Sequence, residues 1–156
     1  RERSEIVFVF VGDGKEKQTL EGQAEALGLK NVRFVPSVPK NEIAEVLAAA
    51  DACIAILKPL ELYKTTYPNK VFDYMAAGRP VLLAIDGVIR ELVEQAGCGI
   101  AVPPGDPRAL ARAAMTLADR PEEARRMGAA GRRAIETEFR RDRFAAQFAR
   151  ILEEMR

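Results

Sequence analysis

A polar segment that leads into a short predicted helix carries residue types that bind a phosphorylated ligand. Its hydroxyl, amide and ammonium groups belong to Thr65, Thr66, Asn69 and Lys70. The first turn of a helix offers unpaired N–H groups and the positive end of the helix dipole, so this segment is a workable diphosphate site. Asp73 follows Lys70 by three residues and Asn69 by four, which places it on the same edge of the helix, where it can accept hydrogen bonds from two ribose hydroxyls. The spacing equally allows Asp73 merely to stabilise the positive end of the helix.

The turn Gly12-Asp13-Gly14 is a second candidate, because it directly follows the apolar run Ile6–Val11. Glycines after a first strand let a phosphate approach the next helix N-terminus closely. The dinucleotide fingerprint needs a third glycine where this chain has Lys17, and the P-loop needs one where it has Val9. An NAD site and a P-loop are therefore disfavoured, and the turn alone is as consistent with a simple tight turn as with a phosphate contact.

Composition excludes several function classes. The chain of 156 residues has 24 Lys and Arg against 23 Asp and Glu, so no general attraction to nucleic acid is expected. It has no histidine, which excludes hydrolases with a histidine base and most zinc enzymes within this chain. Cys53 and Cys98 lie among small or apolar residues, which predicts buried thiols in a reducing compartment. Since no apolar run reaches the roughly 18 residues of a membrane span, a cytoplasmic location is expected.

Five apolar runs predict the strands that position these residues. The predicted strands are Ile6–Val11, Asn31–Val35, Asp51–Leu57, Pro80–Ile85 and Gly99–Val102. Helical periodicity separates the strands, which predicts right-handed crossovers and an α/β, Rossmann-like parallel sheet with helices on both faces. The first run has no polar residue, so we expect that strand to be covered on both faces. Residues 58–68 lack periodicity and are predicted to form a long loop, and loops of this length are often functional.

The predicted helices cover 15–27, 43–50, 69–77 and 89–96, and a purely helical segment follows Gly105. In the helical segment, the arginines between Arg125 and Arg143 alternate with acidic residues. This alternation indicates a solvated helix face rather than a site for polyanions. Ligands of an open parallel sheet bind outside the carboxyl ends of its strands, which is where both candidate segments lie.

The longer motifs resemble those of a known family. Residues 68–81 read PNKVFDYMAAGRPV; VFVGDG and VRFVPSVPKNEIAEVLAAADACI precede them, and AGCGIAVPPGDPRALA and MGAAGRRAIETEF follow. In this order, over nearly the whole chain, they resemble the C-terminal, donor-binding domain of retaining group 1 glycosyltransferases with the GT-B fold. The likeness is greatest to bacterial members that build O-antigen or other surface polysaccharides from nucleotide-diphospho-sugars.

The resemblance implies roles for the 58–68 segment and the helix after it. In that family, two acids eight residues apart lie here; the second holds the ribose and the first lies beside the donor sugar. Asp73 matches the second acid, whereas Thr65 occupies the position of the first, and Glu61 upstream is an alternative acid. The backbone amides near Asn69 and Lys70 are implied to bind the diphosphate.

The resemblance also implies contacts outside that segment. The base is expected against the loop after the second strand, near Val38 and Pro39, and sugar contacts are expected from residues 86–91. Family members carry an Arg/Lys pair for the phosphates just before the position of Arg1, so the chain is expected to start at a cut between two domains. Its catalytic residues are not assigned.

The domain organisation follows from the same likeness. Residues 1–156 are expected to form one domain that binds a nucleotide sugar, most simply a UDP-sugar, while an acceptor-binding N-terminal domain is absent from this chain. Alone, the chain is expected to bind nucleotide weakly and to catalyse nothing; no metal or other cofactor is implied. Membrane association is expected only through the parent enzyme. The alternatives are a non-catalytic nucleotide-binding or phospho-ligand module, and half of a UDP-sugar 2-epimerase, whose expected histidine is lacking here.

Overall fold

Short parallel strands alternate with helices in the computed structural model, which describes residues 3–155 apart from the side chain of residue 141. The strands are β1 (Phe8–Val11), β2 (Val32–Val35), β3 (Cys53–Ile56), β4 (Val81–Ala84) and β5 (Gly99–Ala101). The helices are α1 (Lys17–Ala26), α2 (Ile43–Ala49), α3 (Asn69–Ala76), α4 (Val88–Gln95), α5 (Pro107–Asp119), α6 (Pro121–Thr137) and α7 (Arg141–Glu154). Each predicted strand and helix is confirmed, with ends that differ by one or two residues. The domain cut expected at Arg1 lies outside the described residues.

The strands form two parallel sheets, and the chain divides into two compact units at residues 46 and 47. In the first unit, β1 pairs with β2 from Phe8 opposite Val32 to Val11 opposite Val35. The Phe10 ring stacks on the ring of Phe34 with centroids 5.3 Å apart. A short 3₁₀ helix, Lys40–Glu42, leads from β2 into α2.

The prediction that the first strand is covered on both faces is wrong. The side chains of Val9 and Phe10 are 56% and 50% exposed, and none of the described residues before Cys53 is buried. The physical reason is that β1 pairs only with β2, and α1 has no buried residue to cover it. Two strands with one such helix provide too little apolar surface to bury a strand fully.

The second unit contains the core. Its sheet has the order β3-β4-β5, and all residues of the central strand, Val81–Ala84, are buried. Helices α3, α4, α5 and α6 contact this sheet, and a strand covered on both faces needs a continuous apolar run. The largest side chains of the core are Met75, Leu83, Ile85 and Ile89. The predicted α/β class, with helices on both sides of parallel strands, is confirmed.

Two glycines let α6 pack closely on α3. A Cβ atom at Gly128 would lie 2.0 Å from the carbonyl oxygen of Gly78, just after α3. A Cβ atom at Gly131 would lie 3.0 Å from the Cβ of Cys98 and 3.3 Å from the Cγ of Met75. The sequence MGAAG in α6 is therefore a packing surface that holds α3 in place.

The 58–68 loop differs from the prediction because it contains a 3₁₀ helix, Glu61–Thr65. The amide of Tyr63 donates to the carbonyl of Leu60 at 2.9 Å, and the amide of Thr66 donates to the carbonyl of Tyr63 at 3.2 Å. Such a short helix buries no face of its own, so it has no hydrophobic periodicity that the sequence could show.

The C-terminal helices present charged and apolar groups to solvent. Ion pairs join Arg125 to Glu122 and Arg132 to Glu136, which confirms the predicted solvated face. Every described residue of α7 is exposed, including the apolar residues Phe144, Phe148, Ile151 and Leu152. Across residues 3–155, no helix is long and apolar enough to span a membrane.

Candidate functional site

The 58–68 loop carries two of the predicted site residues at the carboxyl end of β3. The hydroxyls of Thr65 and Thr66 both donate to the carbonyl of Leu62, at 3.2 and 3.3 Å. Each hydroxyl oxygen keeps acceptor capacity, but its proton is used within the 3₁₀ helix. The two threonines are thus held by the loop itself, a local pairing that the sequence analysis did not predict.

The N-terminus of α3 lacks a side-chain cap. Its N-cap residue is Pro68, and no described side chain accepts a hydrogen bond there. At the start of α5, by contrast, Asp106 accepts a hydrogen bond from the amide of Ala109 at 2.9 Å. The amide of Val71 donates to the carbonyl of Pro68 at 3.0 Å. The amides of Asn69 and Lys70, with the positive dipole end, therefore stay available for an anion.

The predicted ligands Asn69, Lys70 and Asp73 lie together on α3, and all three are exposed. Val71 and Met75 on the same helix are fully buried. The helix thus separates a polar face from a core face, as the spacing of these residues predicts. Whether Asp73 holds a ribose stays a prediction.

Aromatic contacts fix α3 against its surroundings. The rings of Phe72 and Phe139 meet edge to face with centroids 5.4 Å apart, and Tyr67 lies 6.3 Å from Phe72. The Tyr74 hydroxyl donates to the carbonyl of Ile54 in β3 at 3.3 Å, and burial raises the pKa of Tyr74. These contacts on both sides of Asp73 give the exposed face of α3 a fixed direction.

Charged residues surround the start of α4 beside the loop. Arg90 donates to Asp86 at 3.0 Å and to Glu94 at 2.9 Å, and these hydrogen bonds, with Glu94 first, raise the pKa of Arg90. Glu61, the alternative acid, accepts a hydrogen bond from Lys64 at 2.7 Å. That bond raises the pKa of Lys64, and the negative charge of Asp86 raises it further. The sequence analysis missed the Asp86, Arg90 and Glu94 set, although its four-residue spacing on a helix is a usable signal.

In the first unit, one carboxylate joins the two predicted loops. Asp13 accepts hydrogen bonds from Lys17 Nζ at 2.9 Å and from Ser37 Oγ at 3.1 Å. Both bonds, with Lys17 first, hold the pKa of Asp13 below its usual range. The Gly12–Gly14 turn is thereby linked to the segment that contains Val38 and Pro39. In the sequence, Lys17 is visible only as the residue that replaces a glycine of the dinucleotide fingerprint, and its partner Asp13 could not be identified there.

Glycine is required at only one of the two predicted positions in that turn. Gly12 has a φ of 139°, which side chains rarely adopt, and its amide donates to the carbonyl of Val35 at 3.0 Å. Gly14 has a φ outside that range, and nothing lies within 4 Å of the Cβ atom it would carry. An alanine is therefore tolerated sterically at Gly14 but strained at Gly12.

The predicted site residues fall into two groups, one in each unit. The first unit carries Gly12, Gly14, Val38 and Pro39; the second carries Thr65, Thr66, Asn69, Lys70 and Asp73. The second group forms one continuous loop and helix. In the part of the chain that the structure describes, no cluster of three or more acidic or cysteine side chains could hold a metal ion.

Comparison with curated proteins relates the chain to bacterial transferases. The probable glycosyltransferase WbjE of Pseudomonas aeruginosa is 32% identical over 112 residues, which cover 67% of this chain and 26% of WbjE. D-inositol 3-phosphate glycosyltransferase of Streptomyces scabiei is 33% identical over 155 residues, which cover 96% of this chain and 33% of that enzyme. The chain therefore spans between a quarter and a third of the length of these relatives.

Solved structures show the same fold. HepE of Anabaena, in complex with UDP, superimposes with a TM-score of 0.80 at 22% identity, over 96% of this chain and 41% of HepE. Sucrose-phosphate synthase of Thermosynechococcus elongatus gives a TM-score of 0.80 at 26% identity, over 96% of this chain and 38% of that enzyme. These likenesses confirm the expected GT-B type of α/β fold.

A family model agrees with both comparisons. The model described as glycosyl transferases group 1 matches residues 1–134, which include both groups of predicted site residues. The chain belongs to the group 1 glycosyl transferases.

Proposed function

We propose that this chain is the donor-binding part of a glycosyltransferase. The enzyme moves a sugar from a nucleotide-diphospho-sugar to a saccharide or a lipid-linked acceptor, with retention of configuration. A UDP-sugar is the favoured donor, because HepE, which shares this fold, was solved with UDP and with UDP-glucose. The observation that carries the proposal is the uncapped N-terminus of α3 with Asp73 on its exposed face.

The geometry of α3 supports a defined division of roles. The amides of Asn69 and Lys70, together with the helix dipole, bind the diphosphate and stabilise the charge that develops on the departing nucleotide. Asp73 accepts hydrogen bonds from the ribose hydroxyls on the same face. Thr65 and Thr66 line the loop beside the diphosphate, with their oxygens as further polar contacts.

For the first unit, we propose contacts to a phosphate and to the base, as the resemblance to the family implies. The Gly12–Gly14 turn has no side chain at Gly12 to block a phosphate, and the Asp13 bridge to Ser37 holds this turn beside the next loop. In that loop, Val38 and Pro39 present an apolar surface for a base.

We further propose that residues 1–156 act as one donor-binding domain of a longer cytoplasmic enzyme. The acceptor-binding domain then lies in the part of the relatives that this chain does not match, which is the larger part of their length. Alone, the chain binds nucleotide weakly and transfers no sugar, and the reaction uses no metal.

Calorimetric titration of the chain with UDP, GDP and their sugars tests donor binding. Asp73→Ala is expected to weaken UDP binding about tenfold. This corresponds to about 1.4 kcal/mol of binding free energy, which is lost because the ribose hydroxyls no longer donate to a charged acceptor. Asp51→Ala is the matched control, because Asp51 is an exposed acid at the amino end of β3, the opposite end from the loop. Absence of binding to every nucleotide, or equal losses in both variants, would contradict the proposal.

A non-catalytic nucleotide-binding module is the second candidate function. Thr65 favours it because the family as a whole carries an acid at that position, although the branch with a P-x-K-x-x-[DE]-Y-M-A motif tends to lack this acid. A chimera in which this chain replaces the matching part of WbjE distinguishes the two. Sugar transfer by the chimera supports the enzyme. A folded chimera that binds the nucleotide without transfer favours the module.

A further inference from the structure

Gly87 lies where the segment after β4 meets the 58–68 loop. Its backbone has φ 84° and ψ −148°, and it is the N-cap residue of α4. A Cβ atom at this position would lie 2.0 Å from the carbonyl oxygen of Lys64 and 2.5 Å from its Cα. Real Cβ atoms do not approach a backbone this closely, so the contact between the two segments exists only because residue 87 has no side chain.

The contact reaches the centre of the 3₁₀ helix that carries Thr65. The backbone of Lys64 packs against Gly87. The ammonium group of Lys64 donates a hydrogen bond to Glu61 at 2.7 Å. The next residues, Thr65 and Thr66, donate their hydroxyls to Leu62 inside the same short helix. A shift of Lys64 would therefore move both threonines, and α3 begins only a few residues later.

The position of Gly87 is itself fixed from the α4 side. Its carbonyl accepts hydrogen bonds from the amides of Arg90 at 2.9 Å and Glu91 at 3.2 Å. Arg90 also binds Asp86 through an ion pair of 3.0 Å. The loop thus rests against the first turn of a helix whose residues Ile89 and Val93 are fully buried in the core.

We infer that Gly87 is a positioning residue for the proposed donor site, because its missing side chain lets α4 hold the 58–68 loop and the start of α3 in the binding arrangement. This inference rests on the proposed function for its ligand, but the loop contact itself does not. Gly87 acts through Lys64 and the threonines.

Gly87→Ala and Gly105→Ala form a matched pair of variants. Gly105 has a nearly equal φ of 80°, yet nothing lies within 4 Å of the Cβ atom it would carry. Both alanines must adopt a positive φ near 80°, but only the alanine at position 87 would also collide with the backbone of Lys64. Circular dichroism and thermal unfolding measure the loss of stability in each variant and show whether both variants fold.

Two readouts then separate the variants. Hydrogen exchange at the amides of Tyr63 and Thr66 is expected to accelerate at least tenfold in Gly87→Ala and to stay within twofold of wild type in Gly105→Ala. The dissociation constant of UDP, measured below the unfolding temperature, is expected to rise at least tenfold in Gly87→Ala alone. Equal exchange and equal affinity in the two variants would overturn the inference.

The failure of the proposed function gives a different result. If the wild-type chain binds no nucleotide, the proposed function fails, while the exchange readout still decides whether Gly87 holds the loop. If Gly87→Ala does not fold, hydrogen exchange of the wild-type chain provides the test. The hydrogen bonds donated by the amides of Thr66 and Arg90 are then expected to open with the same free energy. Exchange of Thr66 more than tenfold faster than that of Arg90, after correction for intrinsic rates, would overturn the inference.

Discussion

At the scale of single residues, the surroundings of a side chain decide its chemistry. Cys53 and Cys98 are free and buried, as the sequence predicts, and desolvation raises the pKa of each thiol to about 11. Asp13 shows the opposite case, because two donors lower the pKa of an exposed carboxyl. Neither pKa shift marks a catalytic group. The raised pKa of the thiols reflects their packing in the core, and the lowered pKa of Asp13 reflects its hydrogen bonds between two loops.

The buried thiols are expected to resist modification. With a pKa of about 11 and buried side chains, Cys53 and Cys98 should react with a disulfide reagent at pH 8 at least on the order of 100-fold more slowly than free thiols. The same chain in concentrated urea is the control, where both thiols should react at the rate of a peptide cysteine. Rapid reaction of the native chain would show that one thiol is accessible.

The Asp13 link is expected to weaken in acid. Because the folded chain lowers the pKa of Asp13, its contribution to stability is present above the ordinary value of about 3.9 and is lost as the pH falls through the lowered pKa. Carboxyl carbon NMR should follow this titration. Lys17→Ala should raise the pKa of Asp13 toward the ordinary value by more than Ser37→Ala does, since Lys17 contributes the larger share.

At the scale of elements, α3 is the part of the site that other elements hold most directly. Its C-terminal end contacts α6 through the two glycines, its middle is anchored by the Tyr74 hydroxyl, and its N-terminus follows the loop that rests on Gly87. A donor site on this helix is therefore positioned from three sides, although each ligand residue is itself exposed.

Gly128→Ala is expected to destabilise the second unit by about 1–3 kcal/mol, because the added methyl group collides with the carbonyl of Gly78. Gly131→Ala should cost less, since the added methyl group would lie 3.0 Å from its nearest neighbour, the Cβ of Cys98, rather than 2.0 Å from a backbone oxygen. Gly22→Ala in α1 is the control, because nothing lies within 4 Å of the Cβ atom that this residue would carry. Since alanine has the higher helix propensity, this variant should be as stable as wild type or slightly more stable. Urea unfolding measures all three, and equal stability of Gly128→Ala and wild type would refute the proposed contact.

The order and type of the elements could be predicted from the sequence. The continuous apolar run of β4 and the helical spacing of apolar residues in α3 match the way these elements are buried in the fold. The separation of Asp73 from Val71 and Met75 could be predicted for the same reason. The contact between Gly87 and Lys64 could not be predicted. It brings together two segments that are distant in sequence, and it depends on the absence of a side chain at residue 87. The exposure of β1 was also unpredictable, because an apolar strand looks the same in sequence whether or not a partner covers it.

At the scale of the whole molecule, apolar surface is unevenly covered. All buried residues that the structure describes lie between Cys53 and Ala134, whereas α7 exposes Phe144, Phe148, Ile151 and Leu152. An exposed stripe of this kind on a helix marks an interaction surface in many proteins. With few tertiary contacts to support it, a helix of 14 residues is also only marginally stable in water.

The α7 stripe is expected to bind a hydrophobic dye. The isolated chain should enhance the fluorescence of anilinonaphthalene sulfonate, and Phe148→Glu combined with Ile151→Glu should remove at least half of the enhancement. Gln147→Glu with Arg150→Gln is the charge-matched control on the same helix, because it also changes the net charge by −2, and it should leave most of the enhancement. Size-exclusion chromatography of these proteins shows whether the stripe also drives self-association. Unchanged dye binding in the Phe148 and Ile151 variant would assign the dye to another surface.

The placement of the core after residue 52 has a consequence for synthesis on the ribosome. The apolar strand β1 leaves the exit tunnel before any of the buried residues from Cys53 to Ala134 has been made, and its pairing with β2 covers only part of it. During that interval the nascent chain presents Val9 and Phe10 to solvent, and both side chains remain 56% and 50% exposed after folding. A chaperone that recognises short apolar segments should therefore bind this chain cotranslationally at β1.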